Sequence, residues 1–182
     1  MESGSDTTIL NLFQKEGREK EAFTLLINEY QQRLYWHIRR IVLSHEDADD
    51  AVQETFIKAW EHLHEFRGNA RLYTWLYRIA TNEALALIKK QKKRNWLPIS
   101  DHEHYLSAHL ESGPYYSGDA IEKKFQKALL KLPDKQRVVF NMKYFDEMKY
   151  EDISAVLGTS VGALKASYHH AVKKIEKYLQ QD

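Results

Sequence analysis

The sequence predicts an all-α protein made of two small helical domains joined by a flexible linker. Apolar residues recur every three to four positions over long segments, and no segment alternates apolar and polar residues as a strand does. The chain of 182 residues contains only seven Gly and three Pro, and four of these ten lie in residues 96–118. That stretch therefore separates a domain of residues 1–95 from a domain of residues 119–182.

Composition narrows the classes of function. The absence of Cys excludes disulfides and thiolate metal sites, which favours a reducing, cytoplasmic location. We expect no membrane insertion, because no apolar run approaches about 20 residues and the start, MESGSDTT, does not resemble a secretion signal. The overall charge of +1 conceals a net charge of −4 in residues 95–121 and +4 in residues 122–182, so nucleic-acid binding is not excluded.

The N-terminal domain begins with two helices predicted at Ile9–Glu16 and Glu19–Leu43. A third, capped by Ser44, contains the sequence DADDAVQETFIKAW, in which Ala48 and Phe56 belong to an inward stripe. Acidic residues occupy the opposite side, but that side also includes an isoleucine. We call this set the docking face: Asp47, Asp50, Gln53, Glu54, Ile57 and Trp60.

Two interpretations of the docking face remain open at this point. It is either the solvated outside of a bundle helix or a surface for a basic protein with a hydrophobic centre. Ile57 favours the second interpretation, because a purely solvated face has no need of an apolar residue ringed by carboxylates.

The next helix is predicted from about Ala70 to Arg94, after a turn at residues 66–69. Its expected core stripe is Leu72, Trp75/Leu76, Ile79/Ala80 and Ala86/Leu87. Beside that stripe runs a second set, which we call the cationic row: Arg71, Arg78, Asn82, Lys89 and Lys93. The row is either a solvated basic face or a track for nucleic-acid phosphates, with Asn82 placed to hydrogen-bond a base edge.

The linker contains Asp101-His102-Glu103-His104, but without cysteine or a helical pair of histidines we expect no metal site. The C-terminal domain is predicted to contain helices at Ala120–Leu132, Asp134–Phe145, Tyr150–Leu157 and Val161–Leu179. The last two, with a Gly158-Thr159 turn and a Ser160 cap, form a helix-turn-helix. The outward positions of its second helix are Lys165, Ala166, His169, His170 and Lys173, which suit DNA contact unless the hairpin has no DNA role.

These segments, in this order, resemble an extracytoplasmic-function (ECF, group 4) sigma factor of bacterial RNA polymerase. DADDAVQETFIKAW resembles the region 2 helix that binds the polymerase, and FRGNARLYTWLYRIATNEAL resembles the segment that reads the −10 element. The segment from Leu132 to Ile175 resembles region 4, which reads the −35 element. The resemblance implies that Phe66, Asn69 and Asn82 contact −10 DNA and that Arg137 joins the −35 contacts.

The resemblance also implies the partners, namely core RNA polymerase, promoter DNA and an anti-sigma factor. No catalytic residues and no cofactor are expected, because the chain has no P-loop, zincin helix or nucleophile elbow. One alternative is a free-standing helix-turn-helix regulator with an N-terminal sensor or dimerisation bundle. A more distant alternative is a metal-dependent hydrolase built on His45, Asp49, Asp50 and Glu54, although Asp49 and Asp50 point to different faces of their helix.

Overall fold

The computed structural model describes residues 4–66, 71–94 and 120–180, and the regular elements in these ranges are all helical. The expected linker, with its histidines, and Asn69 lie outside the described residues. The α-helices are α1 Gly4–Phe13, α2 Glu19–Val42, α3 His45–His62, α4 Leu72–Arg94, α5 Ala120–Leu130, α6 Asp134–Tyr144, α7 Tyr150–Leu157 and α8 Val161–Leu179, with a 3₁₀ turn at Leu63–Glu65.

The N-terminal domain is a bundle in which α2, α3 and α4 pack against one another and α1 covers α2. Leu26, Leu34 and Ile38 of α2 are buried at helical spacing, and alanines on α3 let the neighbouring helices approach closely. α3 begins where the sequence predicts, because the Ser44 hydroxyl accepts a hydrogen bond from the Asp47 amide at 3.3 Å.

The C-terminal domain has a small core of its own between α5, α6 and α8, where Leu129, Phe140 and Ile175 meet. α7 ends at Gly158, whose φ of 64° is left-handed and therefore favours glycine. The Ser160 hydroxyl then accepts from the Ala163 amide at 3.4 Å and starts α8. The predicted helix-turn-helix is present with the predicted boundaries.

The two domains are packed together in the described residues. α2 contacts α6 and α4 contacts α7, and one continuous cluster of buried side chains joins them. Met142 and Ile153 of the C-terminal domain belong to the same cluster as Leu76 and Ala80 of the N-terminal domain. We call this the closed arrangement. The sequence predicted two domains but did not predict that they share a core.

Several helix ends differ from the sequence-based expectation, and two differences have a clear physical cause. α1 begins at Gly4 rather than Ile9, because Asp6 in its first turn suits the positive end of the helix and accepts a hydrogen bond from the buried Tyr30 hydroxyl. In α4 the core positions near the end are Ala84 and Ile88, whereas Ala86 is exposed. α4 packs against three helices, α2, α3 and α7, so its buried side chains do not form a single stripe.

No helix in the described ranges is both long enough and apolar enough to span a lipid bilayer.

Candidate polymerase and nucleic-acid interfaces

The docking face lies on the outside of α3. Ile57 is 52% exposed and Trp60 is 43% exposed, and Asp50, Gln53 and Glu54 are exposed around them. Phe56, one residue before Ile57, is buried and supports the face from below, where the Phe23 ring makes edge contacts with both Phe56 and Trp60. The surface predicted from the sequence is therefore accessible and does not form part of the core of the bundle.

Polar contacts tie the docking face to α4. Lys58 Nζ lies 2.6 Å from Glu83 Oε1 and 3.6 Å from Glu54 Oε1, and the hydrogen bond to Glu83 is the main cause of a raised Lys58 pKa. The Gln91 side chain donates to Asp47 Oδ2 at 2.8 Å. Glu83 interrupts the expected core stripe of α4, and its pairing with Lys58 explains how a half-buried acid is tolerated there. The sequence pattern gave no sign of this link.

The cationic row is divided in the structure. Asn82, Lys89 and Lys93 are exposed along α4, and Phe66 is half-buried with its ring 5.4 Å from that of Trp75. Arg71 and Arg78 are exposed as well, so all five side chains of the row reach solvent where a nucleic-acid strand could follow the helix.

The two arginines of the row also contact the C-terminal domain. Arg78 Nε lies 3.0 Å from the carbonyl oxygen of Ala155, and Nη2 donates to the same oxygen. Arg71 Nη1 lies 3.8 Å from Asp152 Oδ2. Both acceptors belong to α7, so the closed arrangement uses the same guanidinium groups that the sequence assigned to −10 DNA.

The five predicted positions on α8 are all exposed. Lys165, Ala166, His169, His170 and Lys173 lie on the outer side of the helix, whereas Leu164, Ala171 and Ile175 are buried on the opposite side. The Lys165 ammonium lies 5.8 Å from the centre of the Tyr150 ring. The outer side of α8 therefore has the cationic and polar groups that contact with duplex DNA requires.

Arg137 requires a correction. The resemblance placed it among the −35 contacts, but it is only 4% exposed and lies on α6 at the end of α2. Its Nη2 is 3.4 Å from the Ile41 carbonyl oxygen and 3.3 Å from Asp134 Oδ1. Burial lowers the pKa of its guanidinium, and Asp134 opposes that effect. The last carbonyl groups of a helix lack hydrogen-bond donors within that helix. Here Arg137 of α6 provides a donor for the Ile41 carbonyl of α2.

A second long-range set of contacts was not predicted. Asp146, in the loop after α6, lies between two side chains of α2, with its carboxylate oxygens 2.7 Å from His37 Nδ1 and 3.0 Å from Arg40 Nη1. A carboxylate only accepts hydrogen bonds, so Nδ1 of His37 carries a proton. His37 Nε2 is 2.9 Å from Thr81 Oγ1 of α4. We call Asp146, His37 and Arg40 the latch.

Known proteins are similar to this chain over most of its length. The sequence model for sigma-70 region 2 matches residues 26–94, and the model for sigma-70 region 4 matches residues 122–175. The RNA polymerase sigma-H factor of Pseudomonas aeruginosa is 34% identical over 170 residues, covering 89% of this chain and 88% of that protein. The ECF RNA polymerase sigma factor SigW of Bacillus subtilis is 31% identical over 179 residues, covering 89% and 91%.

The chain belongs to the ECF sigma factor family. A similar solved structure is that of the sigma factor RpoE in complex with the anti-sigma factor NepR from Bartonella quintana. It shares 25% identity with this ECF sigma factor at a TM-score of 0.69, covering 88% of this chain and 98% of that chain.

Membership of the family supports the interpretation of this chain as an RNA polymerase sigma factor. It does not favour the alternative of a free-standing helix-turn-helix regulator. In this ECF sigma factor the docking face and the cationic row fall within the region 2 match, and the exposed positions of α8 fall within the region 4 match.

Proposed function

We propose that this ECF sigma factor binds core RNA polymerase through the docking face and reads a promoter with α4 and α8. The observation that carries the proposal is the exposure of Ile57 and Trp60 among carboxylates on a helix that is otherwise well packed. An apolar centre with a charged rim is the usual anatomy of a protein interface. The acidic rim favours a basic surface on the polymerase.

Promoter reading is proposed to be shared between the domains. The outer side of α8 enters the major groove of −35 DNA, where Lys165, His169 and His170 face the bases and Lys173 neutralises phosphate. The cationic row holds a melted −10 strand, and Asn82 hydrogen-bonds the edge of an extruded base. Capture of that base offsets the few kcal/mol needed to unpair it. Phe66 and Asn69 complete the −10 contacts in the preceding loop.

The polymerase supplies the chemistry in this proposal, and the sigma factor is not an enzyme. Its partners are core polymerase, promoter DNA and an anti-sigma factor, the last supported by the likeness to RpoE bound to NepR. A cytoplasmic location, without membrane insertion of its own, follows from these partners. The domains act as units at residues 1–95 and 119–182, with residues 96–118 between them.

Run-off transcription on a promoter library tests the proposal. Core polymerase with this chain should initiate from templates that share two sequence blocks, one near −35 and one near −10, whereas core polymerase alone should not. Asn82→Ala should weaken selection in the −10 block and Lys173→Ala should weaken binding to all templates. The proposal fails if added chain yields no promoter-specific transcript, or if it binds duplex half-sites as a dimer without polymerase.

A further inference from the structure

A crevice of about 170 Å³ lies at the junction of α2, α5 and α6. Trp36 and Arg40 of α2 form one side of it, and Leu129 of α5 and Asn141 of α6 contribute to the rest of the wall. The docking face, the cationic row and the outer side of α8 contribute no residue to this wall. The crevice is therefore separate from the surfaces to which the proposed function assigns polymerase and DNA.

Two buried polar atoms belong to residues of the crevice wall. Among the described residues, Arg137 Nε and Asn141 Oδ1 have no hydrogen-bond partner, although Arg137 is only 4% exposed and Asn141 only 1%. The orientation of the Asn141 amide is fixed, because its Nδ2 donates to the Arg40 carbonyl oxygen at 3.2 Å and only an N–H group can do so. A buried donor and a buried acceptor without partners are unusual in a folded protein and indicate a missing group.

The two atoms require complementary groups. Arg137 and Asn141 are four residues apart and therefore lie on the same side of α6. Arg137 Nε–H requires an acceptor, whereas Asn141 Oδ1 requires a donor. A planar carboxamide carries both, a carbonyl oxygen and an N–H group. A carboxylate has no donor and an ammonium has no acceptor, so neither can satisfy both atoms.

The charges around the crevice favour a neutral molecule. Arg137 Nη2 lies 3.3 Å from Asp134 Oδ1, and Arg40 Nη1 lies 3.0 Å from Asp146 Oδ1 in the latch. Each guanidinium therefore already has a carboxylate beside it. An anion in the crevice would bring a further charge out of water without a free cation to balance it, which costs free energy.

The rest of the wall suits an apolar body. Trp36 and Phe145 provide aromatic surface, and Leu43, Leu129 and Leu130 provide aliphatic surface. An apolar cavity of about 150 Å³ is large enough to take up benzene, so about 170 Å³ accommodates one ring with a small substituent.

We propose that the crevice binds a small neutral carboxamide with a compact aromatic body. The ring lies against Trp36 and Phe145, the carbonyl oxygen accepts from Arg137 Nε, and the N–H group donates to Asn141 Oδ1. A small side-chain adjustment brings the two covered atoms to the ligand. The inference goes beyond the proposed function and does not depend on it.

Fluorine NMR of 4-fluorobenzamide titrated with the full chain tests the proposal. Line broadening should saturate with a Kd of about 1 mM or tighter. The matched probe is 4′-fluoroacetophenone, which keeps the ring and the carbonyl but has a methyl group in place of the NH₂. It should bind about tenfold more weakly or worse, because Asn141 Oδ1 then stays without a donor. 4-Fluorobenzoate, which lacks the donor and carries a charge, should also bind at least about tenfold more weakly.

A matched pair of variants locates the binding to the crevice. Gln126 of α5 is half-buried and lines the crevice, so Gln126→Trp should fill it and abolish the broadening of 4-fluorobenzamide. Lys123→Trp places the same indole on an exposed position of α5 outside the crevice wall and should leave the Kd unchanged. Circular dichroism melts check that both variants stay folded. The comparison of the three probes on the unmodified chain needs no variant and decides the outcome if Gln126→Trp unfolds.

Three results would overturn the proposal. One is the absence of saturable broadening of 4-fluorobenzamide, which would mean that the crevice holds only water. Another is an equal Kd for the amide and either comparison probe, and the third is unchanged binding in folded Gln126→Trp. Run-off transcription is measured without any of these probes, so each of these results leaves the proposed function standing.

Discussion

Truncation of Ile57 should weaken binding to core RNA polymerase by an amount that follows from its exposure. Full burial of an isoleucine side chain is worth about 1.5–3 kcal/mol. Since 52% of Ile57 is exposed, about half of that, or about 0.8–1.5 kcal/mol, remains to be gained on docking. Ile57→Ala should therefore raise the Kd about 4- to 13-fold. Ile57→Glu should raise it roughly 100-fold or more, because it also buries an unpaired charge.

The assay is fluorescence anisotropy of labelled chain titrated with core polymerase, with urea unfolding of each variant alongside. Leu25→Ala is the matched control, since Leu25 is another exposed apolar residue of the same domain, 39% exposed and on α2. Both alanine variants should stay folded and lose about 1–2 kcal/mol of the free energy of unfolding, because about half of each side chain is already buried in the free chain. Phe56→Ala, by contrast, should lose about 3–5 kcal/mol of stability, because Phe56 is only 8% exposed.

A normal Kd for Ile57→Glu would refute the reasoning, because it would mean that the apolar centre of the docking face does not enter the interface. Equal weakening by Ile57→Ala and Leu25→Ala would refute it as well, since the effect would then belong to exposed apolar residues in general.

Three further predictions concern the other surfaces. Asn82→Ala should cost about 1–3 kcal/mol of discrimination at one −10 base, measured by competition between promoter variants, and leave −35 binding unchanged. Lys173→Ala should reduce the salt slope for −35 duplex by about 0.9, measured by titration at several salt concentrations. Lys58→Met should cost at most about 1 kcal/mol, because Lys58 is partly exposed. Because folding raises the pKa of Lys58, its contacts stabilise the protein below the ordinary pKa of 10.5, and this stabilisation is lost as the pH rises above that value. Urea melts of the Lys58→Met variant and of the unmodified protein should therefore converge at high pH.

Local signals were enough to locate many helix boundaries and to predict which sides of α3 and α8 are exposed. Ser44 and Ser160 cap helices as predicted, and Gly158 provides the left-handed residue that ends α7. The exposure of Ile57 follows from helical periodicity alone, because its position on the wheel opposes the buried Ala48 and Ala59. Signals of this kind depend on residues within a few turns of one another, and a sequence displays them directly.

Contacts between the domains could not be found in this way. His37 and Asp146 are 109 residues apart, and the residues around neither one indicate that it has a partner elsewhere. Arg137, which the resemblance placed among the −35 contacts, shows the same limit, because nothing in the sequence indicates that it lies against the end of α2. The core positions of α4 were shifted because α4 packs against three helices, α2, α3 and α7, whereas periodicity predicts one buried stripe.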